Sequence, residues 1–374
     1  MAGIYIHIPF CKQACTYCDF HFSTTFASYR KRLIEAMQRE LQLRSTYLPK
    51  EVMTTIYFGG GTPSLLTEEE LNALLTTVKK HYTLDLKEVT LEANPDDITP
   101  EKLLIWKNAG IDRLSIGVQS FMEEDLKWMK RAHNAQEAHK ALRSAKDAQF
   151  KITLDLIYGL PNRSLAEWNQ NITTALSYTP EHISAYCLTV EDKTALAHLV
   201  KTKKIPLVSD DEQAKQFEQL IQRLAENGYE QYEISNFAKD GAYAIHNSNY
   251  WLGTPYLGIG PSAHSYDGRN RSWNIANNQR YIQCIETNEQ VDELEELTPK
   301  DQFNEYLLTR LRTKWGISLE DLNKLNEITE EFKTTLDEYC NSGAITLNHE
   351  TTTYCLTPKG KLLADKIAGE LFVV

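Results

Sequence analysis

The chain has 374 residues, 42% of them hydrophobic and 24% charged, and carries a net charge of −11. That composition is ordinary for a soluble globular protein, and its acidic excess argues against general nucleic-acid binding through a basic face. No apolar run approaches the roughly 20 residues that a membrane-spanning helix needs, so no transmembrane segment is expected.

The chain enters a strand-like segment, Gly3–Ile8, at once and lacks the basic start and cleavage site of a signal peptide. Its seven cysteines are an odd number, and three of them lie too close together for a disulfide framework. A reducing cytoplasm suits them. Further strands are expected at Thr55–Phe58, Val89–Glu92, Arg113–Ile116, Ile152–Ile157 and Ile183–Leu188. Between them the apolar spacing predicts helices at Tyr29–Leu43, Glu68–His81, Pro100–Asn108, Ala135–Ala148 and Leu165–Ser177. Thr67 with Glu70 gives a capping-box pattern for the second helix, and Gly110 stops the third. This alternation predicts an α/β fold with a parallel sheet and crossover helices.

Ser209 and Glu212 then open a longer helix, Asp210–Asn227, which Gly228 closes before a strand at Tyr229–Ile234. A polar, glycine-rich stretch runs from Asn236 to Asn274, followed by an acidic run at Val291–Leu297. Beyond it come helices at Phe303–Leu311, Leu319–Leu325 and Ile328–Ser342, strands at Ala344–Leu347 and Thr353–Leu356, and a helix from Pro358 onward. That order predicts a small winged-helix-like α+β domain. The acidic balance favours a packing or lid role for it over DNA binding. The expected division is 1–235, 236–297 and 298–374.

Cys11, Cys15 and Cys18 form a C-x3-C-x2-C loop just after the first strand. Structural zinc wants four protein ligands and disulfides an even number, whereas a cubane iron–sulfur cluster on three cysteines keeps one iron open. Lys12 is expected to lower the thiol pKa values. The run Phe58-Gly59-Gly60-Gly61-Thr62-Pro63 follows a strand directly, so its backbone can approach a ligand without Cβ interference. Tyr17 offers an aromatic face to a cofactor; Tyr5 offers one either to a cofactor or to the core. In His246-Asn247-Ser248-Asn249-Tyr250-Trp251 a histidine sits beside two aromatic residues, able to ligate haem iron and cover a porphyrin face. The bland alternative is a hydrogen-bonded loop histidine.

The cysteine spacing resembles that of the radical S-adenosylmethionine (SAM) superfamily, whose open iron takes the amino and carboxylate groups of SAM. The resemblance implies a partial (β/α)6 barrel and a [4Fe-4S] cluster on Cys11, Cys15 and Cys18. It implies that Gly60, Gly61 and Thr62 bind the SAM amino group. Glu92, Gln119, Arg131, Asp155, Leu188 and the Ala263–His264 pair are further implied SAM contacts, with Tyr5 and Tyr17 alongside. Over its full length the chain resembles oxygen-independent coproporphyrinogen III oxidases and the HemW-type haem chaperones. Three features favour the chaperone branch: the start almost on the first strand, Phe20 where the oxidases carry a further cysteine, and the H-N-x-x-Y-W motif. That branch implies a cytoplasmic protein that binds haem, with His246, Tyr250 and Trp251 as its contacts. The haem would pass to an acceptor such as a membrane respiratory enzyme. A monomer or a ligand-linked homodimer is expected. The alternative is a radical SAM oxidoreductase acting on a porphyrinogen.

Overall fold

The computed structural model describes residues 1–373. The alternating pattern becomes six parallel strands in chain order: β1 (Ala2–Ile8), β2 (Met53–Gly60), β3 (Leu84–Ala93), β4 (Arg113–Gln119), β5 (Lys151–Tyr158) and β6 (His182–Cys187). Beyond β6 lies the antiparallel pair β7 (Tyr229–Glu233) and β8 (Asn236–Lys239), with β8 next to β6. On the other side β9 (Tyr256–Ile259) runs parallel to β1. Strands β10 (His264–Tyr266), β11 (Asn270–Asn274) and β12 (Asp292–Glu296) continue outward as an antiparallel meander. One twelve-stranded sheet results, with β12 and β7 as its two ends. The expected α/β fold with a parallel sheet is therefore present. Four strands fall in the polar, glycine-rich stretch, where segments of three to five residues are too short to show a period.

Side chains on a strand alternate between faces. Here the outer face is apolar: Ile4, Ile6, Ile8, Ile56, Phe58, Leu91, Leu114, Ile116 and Leu154 are fully buried. Helices cover that face, Arg30–Leu43 through Leu33, Met37 and Leu41, and Glu68–His81 through Leu71, Leu74 and Val78. Each such aliphatic side chain contributes about 2 kcal/mol by leaving water. The inner face is polar, and residues from β2 through β6 line a single cavity, so the sheet curls into a partial barrel.

Capping boxes start the helices at Thr67, Asn134, Ser164 and Thr298. The one expected at Ser209 is half-formed. Ser209 Oγ accepts the Glu212 N–H, but the Glu212 carboxylate takes the Ser209 hydroxyl at 3.2 Å instead of its amide. Two buried carboxylates tie the later elements to the barrel. Glu40 accepts from Gly260 N, Asn274 Nδ2 and Tyr281 Oη at 2.8, 2.7 and 2.6 Å. Glu88 pairs with Arg113 at 3.0 Å and accepts the Ile245 and His246 N–H groups at 2.9 and 3.0 Å. It thereby caps the helix Ile245–Trp251, whose N-cap Ala244 has no side-chain acceptor.

The C-terminal part has its own core around Phe303, Leu307, Leu336, Ile367 and Leu371. Three helices, Pro299–Leu311, Leu319–Leu325 and Glu330–Asn341, precede an antiparallel ribbon of β13 (Ile345–Asn348) and β14 (Thr353–Leu356). The helix expected from Pro358 breaks into Pro358–Lys361 and Ala364–Leu371, with Leu362 and Leu363 between them. Ile234 packs against both cores, and Lys314 N–H donates to Tyr232 O at 2.9 Å, joining this part to the sheet.

Candidate functional site

A cavity of about 760 Å³ opens at the C-terminal ends of the parallel strands. The loop after β1 supplies Cys11, Cys15, Tyr17 and Cys18, and the end of β2 supplies Gly60, Gly61 and Thr62. Glu92 from β3, Gln119 from β4, Asp155 from β5, Leu188 after β6 and Arg131 line it as well. Tyr5 and His264 do not line it.

All three thiols are free and partly exposed to this cavity, and neighbouring cysteines add to what raises Cys11 and Cys18. Burial pushes the Cys11 thiol up and that of Cys18 up to about 12, so binding iron here releases protons. Lys12 does not offset this, contrary to expectation. Its ammonium group turns away to Asp96, at 2.6 Å, and to Asp97. Arg131 takes that place: its Nη1 lies 3.5 Å from Cys15 Sγ, while Thr62 Oγ1 donates to Cys11 Sγ at 3.4 Å. Among the described residues no three such side chains converge on one point as the ligands of a single ion do. A cluster asks for something different, each thiolate meeting its own iron.

Gly60 has φ +103°, and a Cβ there would lie 2.4 Å from the His7 ring. Gly61 N–H donates to Ile8 O at 2.9 Å, and a Cβ would stand 2.7 Å from that oxygen. These glycines therefore seat β2 against the root of the cysteine loop as well as opening the backbone to the cavity. Glu92 accepts from Tyr57 Oη at 2.8 Å and from Gly60 N at 3.1 Å, yet burial raises its pKa to about 7. Asp155, bonded by Ser115 Oγ at 3.1 Å, is raised to about 8 by burial and then by the Glu92 charge. Arg131 donates to Asn94 Oδ1 at 2.6 Å and to Gly117 O at 3.0 Å, but its Nε is buried without a partner. Gln119 Oε1 is likewise buried and unpaired, on a residue with φ +65°. An unmet buried donor or acceptor costs about 1–3 kcal/mol. The cavity thus fits a ligand with both donors and acceptors, such as an amino acid joined to a nucleoside.

The remaining expected residues lie elsewhere. Tyr5 Oη meets His7 Nδ1 at 3.1 Å, and its ring stacks near Tyr57 and His246, so it packs inside the barrel. His264 sits on β10, its ring 6.1 Å from that of Trp273. His246 is buried with both ring nitrogens engaged: Nδ1 with Thr55 Oγ1 and Nε2 with Tyr250 Oη, each at 2.8 Å. Burial lowers its pKa to about 3, so the ring is neutral. Trp251 lies beneath the Arg312 guanidinium at 5.4 Å. Protein partners thus occupy both nitrogens of His246, and its ring sits on the helix Ile245–Trp251, not in a loop. The motif reaches the cavity through Asn247 instead. Sequence reasoning also passed over Tyr57, Asn94, Ser115, Ser184 and Tyr186 on the cavity wall. Stepping back two residues at a time from Gln119 gives Gly117 and Ser115, so strand parity was the available signal.

Fold and site together define a radical SAM scaffold, and residues 5–174 match the family model described as the radical SAM superfamily. The chain is 35% identical to the heme chaperone HemW of Bacillus subtilis, across 99% of this chain and 98% of that relative. To the heme chaperone HemW of Mycobacterium tuberculosis it is 34% identical, across 99% and 94% of the two lengths. The chain belongs to the HemW family of the radical SAM superfamily. Among solved structures, the coproporphyrinogen III oxidase HemN of Escherichia coli superposes with a TM-score of 0.85 at 21% identity, covering 100% of this chain and 90% of that one. That likeness concerns the fold.

Proposed function

We propose that this protein is a haem chaperone, which binds haem and passes it to an acceptor protein. Cys11, Cys15 and Cys18 hold a [4Fe-4S] cluster, and the strand ends hold an exchangeable SAM. The match to heme chaperone relatives over nearly the whole of both chains carries this reading. Three free thiols facing the same cavity as the glycine turn support the cofactor part of it.

When bound, the cluster supplies an open iron for the amino and carboxylate groups of SAM. Around it, the Gly60–Thr62 backbone meets the amino group, and Arg131 offers a cation to the carboxylate. Glu92 and Asp155 hold ammonium or hydroxyl groups, Gln119 offers its unpaired oxygen, and Leu188 and Tyr17 give apolar cover. In this reading residues 1–235 carry the cluster and SAM, and 236–297 carry the H-N-x-x-Y-W helix. Residues 298–374 cover the mouth. Direct ligation by His246 requires one ring hydrogen bond to break; Tyr250 holds that ring, while Trp251 packs beneath Arg312. The setting is the cytoplasm. The acceptor is a haem protein such as a membrane respiratory enzyme, and the chaperone works as a monomer or ligand-linked homodimer.

The test has two arms on anaerobically prepared protein. Haem titration followed by absorbance should saturate, and the bound haem should move to a haem-free acceptor globin. Incubation with SAM, reductant and coproporphyrinogen III should yield no product at a catalytic rate. Absent saturation, or steady turnover, would overturn the chaperone reading.

A further inference from the structure

Lys361 ends the short helix Pro358–Lys361 and projects to the cavity mouth. It makes no ion pair among the described residues, and its one hydrogen bond is to the neutral Gln231 Oε1 at 2.9 Å. Burial pushes its ammonium group toward the neutral form, which an arriving anion would reverse. Beside it on the wall is Arg312, whose Nε and Nη1 meet Glu233 and Asp365 at 3.3 and 3.0 Å while Nη2 joins neither bond. Both cations belong to the C-terminal part. The carboxylates Asp19, Glu92, Asp155, Glu191 and Asp365 line the same cavity, and of these Asp365 is paired with Arg312.

The same mouth gathers accessible apolar surface. Leu362 and Leu363, in the break between the last two helices, are 39% and 41% exposed, and both line it. Facing the cavity from the barrel side are Tyr186, at the end of β6, and Phe20, 44% and 66% exposed. Four large apolar side chains left open around one cavity mark a binding surface.

We infer that this rim, between the barrel mouth and the Leu362–Leu363 break, is the seat of a flat tetrapyrrole dicarboxylate. Lys361 and Arg312 take its carboxylates, and Phe20, Tyr186, Leu362 and Leu363 cover its ring faces. The inference rests on the haem-chaperone reading and moves the ligand from the H-N-x-x-Y-W helix to the rim. The motif contributes at second hand, since Trp251 supports the Arg312 guanidinium from below.

The experiment measures equilibrium binding of three probes to the full chain: haem, haem dimethyl ester and metal-free protoporphyrin IX. Lys361→Gln should weaken haem and protoporphyrin about tenfold, the loss of one charge-assisted contact, and the ester less than about twofold. Leu363→Glu should weaken all three. Both sites are at least partly exposed, and unchanged cluster iron in each variant verifies the fold. If wild-type protein binds protoporphyrin but not haem, with the Lys361 dependence intact, the rim stands and the haem reading falls. If haem binds and neither variant alters its affinity, while His246→Ala does, the rim falls and the chaperone reading stands. Binding of no probe removes both.

Discussion

The cysteine loop and the H-N-x-x-Y-W helix are the two most conspicuous motifs in the chain, and the fold treats them in opposite ways. The loop lies outside any regular element, and its sulfur atoms meet the protein only at long range, Cys11 with Thr62 Oγ1 at 3.4 Å and Cys15 with Arg131 Nη1 at 3.5 Å. They remain open to the cavity. The motif helix lies packed over β1, β2 and β3, where Thr55, Tyr250 and Glu88 take up its polar groups. Spacing reports that residues are neighbours; whether they remain available depends on what the neighbouring elements need.

Variants can break that contrast. Removing one thiol should cost nearly everything that distinguishes the first region. Cys15→Ala leaves two cysteines, and anaerobic reconstitution should then yield little or no stable iron and inorganic sulfide. Folding of the chain, read by circular dichroism, should be retained, because Cys15 lies in a loop and is partly exposed. The reverse is expected of the second region. His246→Ala deletes a buried ring, its stacking on Tyr57 and both of its hydrogen bonds, and strands the Thr55 and Tyr250 hydroxyls. A loss of about 3 kcal/mol in urea unfolding follows, with cluster iron unchanged. Normal stability with lost iron would reverse the assignment of roles.

Much of this was legible beforehand. The six parallel strands follow from apolar runs separated by helical periods, because each strand buries one whole face beneath helices. Nine residues expected around SAM do share one cavity: most sit at or just after strand ends, Asp155 lies within β5, and Arg131 follows the helix Glu123–Met129. What could not be read was where a side chain goes when two partners compete for it. Lys12 chose Asp96 and Asp97 over the thiols beside it, and those aspartates are distant in sequence. His246 met Thr55 across 191 positions, a contact that no local pattern encodes.

The acids of the first region give a smaller and pH-dependent effect. Glu92 and Asp155, at about 7 and 8, are largely protonated in mild acid and must ionise to hold a cationic ligand. SAM affinity should therefore climb as pH rises from about 6 to about 9. Glu92→Gln should lower affinity about tenfold at the upper end. It should also shift the remaining climb to lower pH, because the charge that helps raise Asp155 is gone. Isothermal titration across that range checks both signs. A flat profile in the wild type would place the ligand away from these acids.

The mildest test probes the second region without opening a cavity. Thr55→Val keeps the volume and removes only the hydroxyl that meets His246 Nδ1, leaving that nitrogen buried without a partner. The expected cost is about 1–2 kcal/mol in urea unfolding. It should hardly vary between about pH 7 and 8, since both the folded ring, at about 3, and the unfolded one are then neutral. Below about pH 6.5 the unfolded chain takes up a proton at His246 that the fold refuses, so that ring makes both proteins less stable as pH falls. His246→Ala lacks this contribution, and its acid limb should be shallower than that of Thr55→Val. Equal limbs would mean that the ring already meets water, and the contrast between the two motifs would then be one of sequence only.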